Sequence, residues 1–161
     1  MDIYEYAMQM EKESEKYYRE LVEKTMNKGL RAILTILADA DVEHYNIFQK
    51  MKKDESIQMT QTDVLSNVKK VFARMKEKDD TAGVDMSEIE LYRKAQEIEK
   101  RTETFYREKA GIATDEAQKR ILHKIADEEN KHYLTLENII EFVSRPSQWL
   151  ENAEFYHLEE Y

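Results

Sequence analysis

Apolar positions recur at helical spacing through most of the chain. Residues 2–27 keep a stripe through Ala7, Met10, Tyr18 and Leu21 without a Gly or Pro. "MNKGL" then offers a short turn around Gly29. Residues 30–53 carry Ile33, Leu34, Leu37, Ala38, Tyr45 and Phe48 on one face. A connection this short makes the two helices antiparallel neighbours. From Met51 to Asp85 the chain is polar and loses this periodicity. The exception is "TDVLSNVKKVFARM", where Val64, Val68, Val71 and Phe72 predict a short helix. "DDTAGVDMSE" ends it. Asp85 or Ser87 caps a third long helix to about Ala110. Thr114, in "GIATDE", caps a fourth to about Ser144, which Pro146 closes. The tail "SQWLENAEFYHLEEY" is expected to pack back on the bundle.

The pattern predicts an all-α four-helix bundle of two hairpins joined by a long crossover. Its 161 residues form one domain: hairpin 1–53, crossover 54–84, hairpin 85–145 and tail 146–161. Three Gly and one Pro leave little material for the tight turns of a sheet protein.

One stripe breaks the rule. In "ADADVEHYNIF" (38–48), Ala38, Asp41, Tyr45 and Phe48 share a face, with Asp41 at its centre and His44 a turn further on. An internal repeat explains it. At an offset of 88 residues and with no gap, "EKESEKYYRE" (11–20) lies over "EKRTETFYRE" (99–108). "ILTILADADVEHY" (33–45) lies over "ILHKIADEENKHY" (121–133). The matched pairs include Glu11 with Glu99, Tyr18 with Tyr106, Asp39 with Asp127, Asp41 with Glu129, His44 with His132, and Tyr45 with Tyr133. Low complexity matches Glu with Glu by chance, but not two Tyr pairs and a His-Tyr dipeptide.

The matched acids occupy positions where a helix buries apolar side chains. Unpaired buried carboxylates cost several kcal/mol, and four facing one another repel. Two His do not balance them at neutral pH; divalent metal does. The heights agree as well. At ~1.5 Å per residue, Glu11 lies ~26 Å from the first turn, and Asp41 and His44 lie ~20 and ~24 Å back from it. Glu99 and Glu129 each lie ~21–24 Å from the second turn. The i, i+3 spacing puts the acid and the His of each pair on one face. One Glu from each of two helices, and an acid-x-x-His pair from each of the other two, is the donor set of a carboxylate-bridged dinuclear site.

On these motifs, which span the four long helices, the sequence resembles the rubrerythrin and ferritin-like di-iron proteins. The resemblance implies a ferritin-like bundle holding two iron ions, with Mn or Zn able to substitute. Glu11 and Glu99 would be terminal ligands, Asp41 and Glu129 bridges, and His44 and His132 nitrogen donors; these six would also be the catalytic residues. Tyr18 and Tyr106 match tyrosines close to the site in the family. Packing with a hydroxyl bonded to a buried acid is favoured for them over redox participation.

The chain departs from that pattern in three places. Asp41 replaces the usual Glu and reaches ~1.5 Å less, one carbon–carbon bond. It is expected to hold only the nearer metal, leaving the position of Glu99, Glu129 and His132 the tighter one. Thr102 stands where rubrerythrins proper carry a further Glu that exchanges with a His ligand. The rubredoxin-like domain is missing, because there is no Cys to hold its iron.

The remaining candidates read as ordinary. His123 is about half a helical turn from His132 and faces elsewhere. His157 lies in the tail. Glu15 and Glu103 belong to a solvated or i,i+4-paired face, although either could serve iron entry. Met8 and Met10 fill core.

The net charge of −9 argues against a general nucleic-acid or anionic-membrane binder. No apolar run approaches the ~18 residues of a membrane span, and "MDIYEYAMQM" has no signal-like core. A cytoplasmic protein is expected.

The leading function is a di-iron or iron–manganese oxidoreductase that reduces peroxide or dioxygen, a role in oxidative stress. Its electrons would come from a separate donor such as a rubredoxin-like protein, and its expected assembly is a homodimer. Two alternatives stand beside it: a ferroxidase and iron-storage protein, and a metal-free helical interaction protein.

Overall fold

A computed structural model describes residues 2–55, 57 and 63–160. Its elements are α1 (Ile3–Lys24), α2 (Lys28–Lys52), α3 (Val64–Lys78), α4 (Ile89–Ile112), α5 (Glu116–Ser144) and α6 (Pro146–Glu151). Short 3₁₀ turns span Met86–Glu88 and Glu154–Glu160. No strand occurs among the described residues, and none of their helices is long and apolar enough to cross a membrane.

Three of the four long helices, α1, α2 and α5, begin where short polar side chains satisfy orphan amides. The Asp2 carboxylate accepts from the Glu5 amide at 2.8 Å, and the Asn27 carbonyl oxygen accepts from the Leu30 amide at 2.9 Å. Asp85 accepts from the Ser87 amide, which starts the 3₁₀ turn leading into α4. Asp115 caps α5 by accepting from the Gln118 amide at 3.1 Å, one residue beyond the expected Thr114. Three other expectations shift. The first turn is residues 25–27, and Gly29 lies inside α2. There a Cβ would come within 2.2 Å of the Met75 sulfur, so Gly29 makes room for the Met75 side chain of α3 rather than forming the turn. Pro146 follows the end of α5 but opens α6, where its missing N–H costs nothing. Tyr45 and Met10 are half-buried rather than core.

α1 pairs with α2, and α4 with α5, as two antiparallel hairpins. They meet through α1 against α4 and α2 against α5. α3 lies on α2 and α5, and the tail folds back against it. Trp149, Phe155 and Leu158 are fully buried, with the Trp149 ring edge-on to Phe72 at 4.6 Å.

The apolar core is in two pieces. One holds Tyr18, Leu21, Leu34, Leu37, Leu136, Phe142 and the tail residues. The other holds Ala7, Phe48, Tyr106, Ala110, Leu122 and Ile125. Between them, at mid-height on all four long helices, lies a layer of buried acids and histidines.

Candidate metal centre

The repeat puts this layer together. Glu11 comes from α1, Asp41 and His44 from α2, Glu99 from α4, and Glu129 and His132 from α5. All six are at most 1% exposed. They form two overlapping groups. Atoms of Glu11, Asp41, His44 and Glu129 lie within 4.8 Å of one another, as do atoms of Asp41, Glu99, Glu129 and His132. Asp41 and Glu129 are common to both, while Glu11 with His44 and Glu99 with His132 each belong to one. The structure therefore brings all six predicted residues together.

Asp41, despite its shorter side chain, supplies an oxygen to each group. Ala38, one turn earlier on the same stripe, is fully buried.

Both histidines turn the same nitrogen inward, and their rings stack 5.9 Å apart at 12°. Nδ1 of His44 lies 3.0 Å from Glu129 Oε1 and 3.4 Å from Glu11 Oε1. Nδ1 of His132 lies 3.4 Å from Glu99 Oε1 and 4.0 Å from Glu129 Oε2. The tyrosines cross between hairpins. Tyr18 donates to Glu99 Oε1 at 2.5 Å, and Tyr106 donates to Glu11 Oε1 at 2.9 Å. Each aromatic ring thus packs a core and steadies the terminal-position acid of the other repeat.

The surroundings make the acid cluster costly without a counter-charge. Burial, then the charges of Glu11 and Glu99, push Asp41 well above the ordinary carboxylate range, against the nearby Ser14 hydroxyl and His44. The same burial and charges raise Glu129. Burial also works to raise Glu99, but it is outweighed by a hydrogen bond from Glu129, by His132 and by Tyr18, so Glu99 falls below its usual value. For His44, burial opposes the proton but Glu11, Glu128 and Glu129 prevail and raise it well above normal. Burial, then the acids, raise Tyr18 and Tyr106 well above the usual phenol value.

Buried polar atoms nearly always find partners. Here Glu11 Oε2, both Asp41 oxygens, His44 Nδ1, Glu99 Oε2, Glu129 Oε1 and His132 Nδ1 are buried without a hydrogen-bond partner. All of them belong to the two groups. Oxygen and imidazole donors converging on two shared carboxylates fit a pair of divalent first-row ions.

Two neighbours were not legible as site residues. Glu128, 6% exposed, bonds His44 Nε2, the nitrogen that faces away from the acids. In a Glu-rich stretch it reads as surface. The signal that singles it out is its mismatch with Ala40, its counterpart in the repeat. Ser14, buried beside Asp41, is the counterpart of Thr102, whose hydroxyl donates to the Ile98 carbonyl at 2.8 Å.

Other candidates fall where expected. Glu15 pairs with Arg19, and Glu103 with Arg107, at i,i+4 spacing. Each Arg also reaches across its hairpin at 2.9 Å, to Asp39 and Asp127 respectively. His123 and His157 are exposed.

No curated protein and no solved structure gives a match to the chain. The family model described as Rubrerythrin matches residues 2–140. That span contains all six residues of the buried layer and both halves of the repeat, and the chain belongs to the rubrerythrin family.

Proposed function

We propose that this protein is a dinuclear non-haem iron, or iron–manganese, oxidoreductase that reduces peroxide or dioxygen with electrons from a separate donor. The carrying observation is the convergence of unpartnered, buried carboxylate and imidazole atoms from six residues on four helices. A metal-free scaffold gives no reason to bury four acids there at the cost of their solvation.

Two ferrous ions held by these residues would supply two electrons, one each, enough with two protons to reduce one peroxide to two waters. The chain's own residues set the conditions. Asp41 and Glu129 belong to both groups and would hold the two ions together. Glu11 and Glu99, each steadied by a tyrosine, would keep them in place as their charge rises. The apolar clusters above and below exclude bulk water from the layer.

A cleft of about 400 Å³ between α1 and α4 reaches Ser14, the neighbour of Asp41, and would be where a small oxidant approaches. Exposed Tyr6 and Arg101 lie at its mouth, and Ser14 and Thr102 are its most buried lining residues. The Thr102 hydroxyl is committed to the helix backbone, so no carboxylate stands there to exchange with a histidine. These 161 residues contain no cysteine to hold a rubredoxin-type iron, and an external one-electron donor would re-reduce the pair.

The test is anaerobic loading with Fe(II), then addition of peroxide or oxygen, followed optically with the metal content quantified. Oxidation of two ferrous ions per peroxide, faster than that of free Fe(II), is expected. Metal that stays bound and ferrous in the presence of both oxidants would overturn the assignment.

A further inference from the structure

The two halves of the layer are not equivalent, and the difference lies outside the six residues. His44 and His132 match in the repeat, in burial and in the nitrogen turned inward. They differ on the outer side. Nε2 of His44 is bonded to Glu128. Nε2 of His132 is equally buried and has no hydrogen-bond partner. The sequence explains the difference: the residue matching Glu128 at the offset of 88 is Ala40, 5% exposed, which offers no acceptor.

An imidazole that binds a metal through Nδ1 carries its proton on Nε2. Donating that proton to a carboxylate fixes the tautomer, orients the ring and makes Nδ1 a stronger donor. His44 has this support and His132 does not. Resting on the dinuclear reading above, we propose that Glu128 is a positioning residue that makes the Glu11–His44 position the tighter and first-filled of the two. Ala40 leaves the Glu99–His132 position the more labile. The shared carboxylates Asp41 and Glu129 do not create this order, because both belong to both groups.

The experiment titrates metal-free protein with Co(II), a spectroscopic stand-in for Fe(II). Binding is read from its visible absorption and by calorimetry, in the native chain and in Glu128→Ala, Glu128→Gln and Ala40→Glu. Crystals loaded with one equivalent give the occupancy of each position by anomalous scattering. The native chain should bind in two steps, with the first equivalent at the Glu11–His44 position. Glu128→Ala should weaken that step by roughly 10- to 100-fold and leave the other within about twofold. Glu128→Gln keeps the side-chain volume and one acceptor oxygen, so it should fold like the native chain and recover part of the loss. Ala40→Glu should tighten the second step.

An equal split of the first equivalent, or its preference for the Glu99–His132 position, would overturn the proposal. So would two affinities unmoved by both Glu128 substitutions. A native chain that takes up no metal would remove the dinuclear reading itself, and this inference with it; two metals bound without the stated order remove the inference alone.

Discussion

Asp41 and Glu129 sit where a helix ordinarily buries Leu, and burial with the charges of Glu11 and Glu99 raises both above the ordinary carboxylate range. This has a measurable consequence for the metal-free protein. In the unfolded chain both carboxyls titrate near ~4, and His44 near ~6.5. In the folded chain all three are raised. Between the unfolded and folded values the folded chain binds more protons than the unfolded one, so stability falls as pH rises through that window. Glu99, lowered, works the other way. Its contribution is present above the ordinary carboxylate range and is lost only in acid. The melting temperature of the chelator-treated protein should therefore be lower at pH 8.5 than at pH 5.5, as read by circular dichroism. A melting temperature that climbs over this range would mean that the acids are ionised and solvated. At the same scale, Tyr18→Phe removes the hydroxyl bonded to buried Glu99 and should cost about 1.5–3 kcal/mol in chemical denaturation of the metal-free protein.

At the scale of elements, the tail is part of the core. Trp149, Leu150, Phe155 and Leu158 are at most 2% exposed and pack with α3 and the end of α5. Trp149→Ala should cost ~3–5 kcal/mol, measured by urea denaturation. A chain ending at Arg145 loses all four side chains, at ~1.5–3 kcal/mol each. That sum is comparable to the ~5–15 kcal/mol total stability of a domain, so the shortened chain should melt far below the native one or lack a cooperative transition. A native-like melt would mean that the tail merely covers the bundle. The long helices and their pairing were legible because apolar spacing and sparse Gly and Pro report directly on helices. Their ends were less so. Thr114 and Asp115 are both good caps side by side, and only the path of the chain chooses between them. Gly29 looked like turn chemistry because the approach of Met75, 46 positions away in sequence, leaves no local mark.

For the molecule as a whole, two hairpins from one repeated pattern place a polar layer between two apolar clusters. The six residues of that layer were legible because duplication printed the same chemistry twice. Glu128 escaped notice because it is present in one copy only. The acid layer makes the metal-free fold the weaker one, so metal that binds only the folded state should raise the melting temperature by mass action. The gain is ~2.7 kcal/mol at a hundredfold excess over Kd. An unchanged melt at saturating Fe(II), Mn(II) and Zn(II) would point to a scaffold that does not use the layer.

The most direct measurement counts the ions. Metal-free protein equilibrated anaerobically with excess Fe(II), then freed of unbound metal, should retain two irons per chain by elemental analysis. Glu129→Ala, which removes a carboxylate common to both groups, should weaken retention of both. One iron or fewer in the native chain under these conditions, with the same result for Mn(II) and Zn(II), would contradict a dinuclear centre built from Glu11, Asp41, His44, Glu99, Glu129 and His132.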